Sequence, residues 1–142
     1  MANYVGSARS NYFKVKDLEK FKAWCKELEI EVVVSDKDPE LVTMLVGRDS
    51  DTGGWPNWRS NPEAADPSED DEEVDLEKEL SAHLRPGWVA VLVEVGSEKL
   101  RYLHGHATAV NSKGKTKTVN LNQIYKLSKD LGGHITNIEG EY

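Results

Sequence analysis

Apolar and polar positions change rhythm several times along this chain. Residues 11–16, NYFKVK, alternate and are rich in aromatics, the period-two pattern of a short strand. Asp17 stands where a helix N-cap belongs. Leu18, Phe21, Trp24, Cys25 and Leu28 then recur at spacings of three and four, which predicts a helix to about Leu28 with one apolar face. Residues 31–35, EVVVS, are a β-branched run, and residues 41–47, LVTMLVG, give a further strand. The few turn-forming residues between them make the two strands antiparallel neighbours.

The rhythm then stops. Residues 48–73 are rich in Gly, Pro, Ser, Asn and Asp with no sustained period, so they read as a long surface loop, a type that is usually functional or disordered. Val74, Leu76, Leu80 and Leu84 predict a short helix ended by Pro86-Gly87, its acidic start favourably placed against the helix dipole. Residues 88–96, WVAVLVEVG, are the most apolar stretch and read as a central strand covered on both faces. A hairpin follows, with strands over 99–110 and 115–121 about an NSKG turn. Asn120 or Asn122 can cap a last helix carrying Leu121, Ile124, Tyr125, Ser128 and Leu131 in a stripe, ended by Gly132-Gly133. The tail from His134 on is expected to add an edge strand or to fray.

The resulting order is β-α-β-β-(acidic loop)-α-β-β-β-α. It predicts an α+β fold: a largely antiparallel sheet of five to six strands with two to three helices on one face. The 142 residues fit a single globular domain spanning 1–142, large enough to bury a core without metal or disulfide staples, with the acidic loop at about 48–73. No repeat of fixed period is present.

Charge changes this picture more than composition does. The formal net charge of −7 conceals a segregation along the chain. Residues 61–80 hold ten acids and one base, whereas residues 99–129 hold seven bases and no acid. No apolar run approaches the ~20 residues of a membrane span, and the opening MANYVGSARS lacks the apolar core of a signal peptide. The lone cysteine, Cys25, cannot close an internal disulfide, which fits a reducing cytoplasmic setting.

The acidic segment is the first candidate site. Asp66, Glu69, Asp70, Asp71, Glu72, Glu73, Asp75, Glu77 and Glu79 stand against the single base Lys78. A solvated linker is the plainer reading. Against it, the adjoining GGWPNW places Trp55 and Trp58 in a loop with little means of burying both, and a surface tryptophan is a common binding anchor. The acids also run into a predicted helix, which would fix part of the array. Fixed carboxylates present a basic groove with a field like that of phosphates. Calcium is the rival ligand: residues 49–54, DSDTGG, start like an EF-hand loop, but Ser60 stands where the twelfth-position bidentate Glu is required.

Two further clusters carry chemistry. His104 and His106, two apart on a predicted strand, point to one face and could chelate zinc or copper if Cys25, His83 or His134 supplied more ligands; cross-strand packing is the plainer account. The hairpin's Lys99, Arg101, Tyr102, Lys113, Lys115 and Lys117 resemble a nucleic-acid platform, with Lys115 and Lys117 on one face. The same pattern also fits a hairpin neutralised by the acidic loop, or a lysine-guarded sheet edge. Phosphate-binding loops, G-x-S-x-G, H-E-x-x-H and C-x-x-C are absent from the sequence, and Cys25 falls on an apolar helix face. Nothing in the chain asks for an enzyme or a cofactor.

Two stretches, VGSARSNYFKVKDLEKF (residues 5–21) and EVGSEKLRYLHGHATAVNSKGK (residues 94–115), resemble small uncharacterised proteins encoded by phages, plasmids and integrative elements. The resemblance implies a setting in which small acidic proteins block host defences such as CRISPR complexes and restriction enzymes. The expectation is therefore a non-catalytic acidic inhibitor, possibly a nucleic-acid mimic, monomeric or homodimeric. It would bind a basic surface of a host defence or nucleic-acid-handling complex through the acids above, with Trp55 and Trp58 as anchors. The alternatives are a nucleic-acid-binding module on the basic hairpin and a metal-dependent enzyme on His104 and His106.

Overall fold

The computed structural model describes residues 4–46, 53–59, 72–98 and 102–136. Its centre is an antiparallel sheet of seven strand segments in six positions. β1 (Tyr4–Ser10) and β2 (Phe13–Lys14) are successive parts of one interrupted strand, and the sheet order is β3 (Ile30–Val34), β4 (Leu41–Val46), β1/β2, β7 (Val89–Glu98), β8 (Tyr102–Asn111), β9 (Thr116–Asn120). β5 (Trp58–Arg59) and β6 (Glu72–Glu73) form a separate two-strand ladder. Helices α1 (Leu18–Glu27) and α2 (Leu76–His83) cover one face of the large sheet. This is the α+β class and element order that the hydrophobic pattern predicts.

The break between β1 and β2 has a simple device. Arg9 pairs with Leu45, but Phe13 pairs with Val42, so one extra residue enters on the β1/β2 side. The carboxamide of Asn11 takes over a ladder position there. Its Nδ2 donates to the Val89 carbonyl at 3.1 Å and its Oδ1 accepts from the Val91 N–H at 2.7 Å. The buried Ser10 hydroxyl accepts from the Met44 N–H at 2.9 Å, closing the other side of the offset.

Helix α1 starts at its expected cap, and α2 starts at Asp75, an acid expected to belong to the binding array. Asp17 Oδ1 accepts from the Lys20 N–H at 3.1 Å, and Asp75 Oδ1 accepts from the Lys78 N–H at 3.2 Å. Phe21, Trp24 and Cys25 of α1 and Leu76 and Leu80 of α2 descend onto Phe13, Val42, Met44, Leu92 and Val110 of the sheet. Each such side chain contributes roughly 1.5–3 kcal/mol through burial. After α2 the chain runs antiparallel to the end of β2: Lys16 N–H donates to the His83 carbonyl at 2.9 Å and Arg85 N–H to the Lys14 carbonyl at 3.1 Å.

Three expectations change. β7 is central but covered on one face only: Ala90 and Leu92 are buried, whereas Val89, Val93 and Val95 on the opposite side are exposed. The last helix, α3 (Gln123–Leu127), continues as a 3-10 turn to Leu131 and ends at Gly132 in the left-handed region, φ 74°. Its predicted stripe buries no residue, and Asn122 makes no side-chain cap bond. A β1 strand over Tyr4–Ser10 is an addition to the predicted elements.

Candidate functional site

The acidic segment enters and leaves through the β5–β6 ladder, where Trp58 pairs with Glu73 and Arg59 with Glu72. The Val74 N–H donates to the Asn57 carbonyl at 2.8 Å, and Val74 itself is buried. Of the nine predicted carboxylates, Asp66, Glu69, Asp70 and Asp71 lie outside the described residues, and Glu72 is placed by its backbone alone. Glu73 is exposed and Glu77 half-buried. Asp75 is occupied as the α2 cap, and Glu79 Oε1 accepts the Trp24 indole N–H at 2.9 Å. Two of the acids therefore hold the fold together.

Trp55 is not an exposed anchor. Its ring is half-buried against the core, its backbone N–H donates to Glu94 Oε1 at 2.8 Å, and its buried Nε1 has no hydrogen-bond partner among the described residues. The reason lies in the neighbouring glycines. Gly53, at φ 78°, rests on the Gly6 carbonyl, where any Cβ would collide, and a Cβ at Gly54 would fall 2.9 Å from Glu94 Oε1. Backbone thus sits directly on the sheet and carries the indole inward. Trp58 belongs to β5, and its indole is outside the described side chains.

Among the described residues, Lys115 and Lys117 lie on the opposite side of the sheet from Asp75 and Glu77. Lys99 and Arg101 lie outside the described residues, and Tyr102 is placed by its backbone alone. Lys113, Lys115 and Lys117 are exposed. The register puts Lys117 opposite Ala109 and Lys115 beside Asn111, so both lysines share the uncovered face, as alternation predicts. The first turn of α2 instead meets the hydroxyl side of the hairpin. Asp75 and Glu77 line a groove of about 360 Å³ with Thr108, Thr116 and Thr118. Among the described residues the ion pairs are Lys14 with Asp38 and Glu40, Arg85 with Glu40, and His104 with Glu98; none joins the acidic segment to the hairpin.

His104 and His106 are both exposed on the helix-side face of β8, beyond the reach of the helices. They line a groove of about 350 Å³ with Asn120 and Asn122, and His104 Nε2 lies 3.8 Å from Glu98 Oε2. Among the described residues no group of three or more His, Cys, Asp or Glu side chains is placed to hold a metal ion. His83, a candidate third ligand, is instead packed against the rings of Phe21 and Trp24, with centroids 5.9 and 5.0 Å away. Burial there holds its pKa below 6.5. Burial also pushes the Cys25 thiol up to about 12, which makes it a structural side chain and a poor nucleophile.

The surface that pattern reading misses is the side of the sheet that no described helix covers, around the exposed Val93, Val95, Leu103 and Val119. The signal was available: an antiparallel sheet with its helices on one face leaves the other face uncovered. No helix among the described residues is long and apolar enough to cross a membrane. Comparison with protein-family models, with curated proteins and with solved structures found no match, so the resemblance to mobile-element proteins gains no support from them.

Proposed function

We propose that this chain is a non-catalytic binding protein that occupies a basic surface of a host defence or nucleic-acid-handling complex. It acts there as anti-CRISPR and anti-restriction inhibitors do, in the cytoplasm. The observation that carries the reading is the separation of charge. Glu73, Asp75 and Glu77 lie at the edge where the acidic segment runs into α2, while Lys115 and Lys117 lie on the opposite face of the sheet. Acids that are not cancelled from within retain a field for a partner, and α2 gives part of the array a fixed spacing. The binding surface consists of Glu73 and Glu77 together with Asp66, Glu69, Asp70, Asp71 and Glu72. Asp75 and Glu79 support the helix, and Trp58 remains the apolar anchor.

Affinity capture from host lysate with the full chain as bait, followed by mass spectrometry, tests this. A variant carrying Asp70→Lys, Asp71→Lys, Glu73→Lys and Glu77→Lys is the control, chosen to spare the two acids with structural roles. The wild type is expected to capture a basic complex in a salt-sensitive manner, because exposed charges are screened beyond ~8 Å at physiological ionic strength. The variant is expected to lose that partner. Equal capture by both proteins rejects the proposal.

A further inference from the structure

We infer that the side of the sheet away from α1 and α2 is a docking surface for an anionic lipid bilayer, on which the protein lies peripherally. The inference is independent of the acidic segment and its partner.

Apolar exposure is one-sided. The strand pairing puts Val93, Val95, Leu103 and Val119 on the face opposite the buried Ala90, Leu92 and Val110. Leu121 joins them, because its side chain lies where a Cβ on Gly105 would point, and Gly105 pairs with Val95. Among the described residues, the exposed large aliphatic side chains all stand on this face or on the segment that follows β9. Exposure rises along that segment, from 57% at Ile124 to 72% at Leu127 and 79% at Leu131. Water is thus left against a continuous aliphatic tract that the protein does not cover with its own described elements.

The charge beside this tract is basic. Arg9 shares a rung with Val93 and Val119, while Lys115 and Lys117 line the β9 edge. The one acid on the strands of this face is Glu31, at the far β3 edge. Lys126 and Lys129 continue the basic character along α3 and its 3-10 turn, against Asp130. The acids Asp75 and Glu77 stand on the other side of the sheet, across a layer about 10 Å thick, so salt largely screens their repulsion.

An anionic partner fits these charges, and the apolar part selects its class. Nucleic acid is held on open sheets by aromatic side chains that stack on bases. No aromatic stands on the open face of β7, β8 or β9, since Tyr102 pairs with Glu98 on the helix side. A bilayer instead takes aliphatic side chains into the acyl boundary and draws flanking Lys and Arg to its anionic headgroups. Either signal alone binds marginally; an apolar tract beside a basic one supplies both. Lying this way, the protein turns α2 and its acids away from the lipid.

Cosedimentation of the full chain with vesicles tests the inference, using phosphatidylcholine with and without roughly 30% phosphatidylglycerol. Binding is expected to the anionic vesicles only, and to weaken as salt rises. Lys115→Glu with Lys117→Glu should weaken it about tenfold or more, as should Leu127→Asp, each with an unchanged circular-dichroism spectrum. Those positions are exposed, so the fold tolerates the changes. Absence of binding to anionic vesicles, equal binding to neutral ones, or indifference to either variant overturns the lipid surface. So does retention on single-stranded DNA by a wild type that ignores the vesicles, which would assign the same bases to phosphodiesters.

Discussion

Trp24 of α1 donates its indole N–H to Oε1 of Glu79 on α2 across 2.9 Å, and this bond joins the two helices that roof the sheet. The indole is 8% exposed and stacks on His83 of the same α2, at 5.0 Å and a 33° tilt. A carboxylate that looks in sequence like one more member of an acidic surface is thus spent inside the fold. Removing it orphans a buried donor. Glu79→Leu should lower unfolding free energy by about 1–3 kcal/mol, and Glu79→Gln, which keeps an acceptor, by less. Urea denaturation of the two variants checks the ranking, and equal losses would contradict it.

His83 should make the protein acid-sensitive. Burial favours the neutral ring, Glu79 opposes that by favouring the charged form, and Lys16 adds to the lowering. Since the folded pKa is below the ordinary 6.5, the unfolded chain binds the proton first as pH falls. Its contribution to stability is complete above 6.5, declines below it, and levels off once the folded ring is itself protonated. His83→Phe keeps the aromatic contacts and should flatten the stability profile between about pH 5 and 7. Superimposable urea midpoints for the two proteins across that window would refute the assignment.

Cys25 is buried in α1 against the sheet, with its thiol raised to about 12. Native protein at neutral pH should resist alkylation, and protein unfolded in urea should react with one equivalent. Similar rates in the two states would show that the thiol is accessible.

Leu80 and Leu127 separate the core from the exposed C-terminal helix. Leu80 of α2 is fully buried, so Leu80→Ala should cost about 2–5 kcal/mol. Leu127→Ala, at 72% exposure, should change monomer stability by less than about 0.5 kcal/mol. Thermal unfolding of the two variants distinguishes them.

Local signals were readable wherever one residue type does one job. Asp17 announces its helix because a capping carboxylate is needed there, and Asn111 and Gly114 mark the hairpin because the turn uses the Asn111 side chain and a φ of 82°. β1 was unreadable because YVGSARS has no apolar alternation; its extension comes from pairing along its whole length with β7. The valines of β7 look the same in sequence whether a helix covers them or not, so coverage is a tertiary fact. The inward turn of Trp55 likewise depends on Gly53 meeting Gly6, two residues far apart in the chain. For the acidic segment, its charge was legible, but the diversion of Asp75 and Glu79 into capping and bracing was not.

The two-rung ladder of Trp58 with Glu73 and Arg59 with Glu72 sets a boundary condition on everything between. Whatever residues join Arg59 to Glu72 must depart and return at the same rung, and Gly53 and Val74 moor the flanks to the body of the protein. The ladder therefore fixes how far apart the two ends of residues 60–71 stand, whatever their sequence.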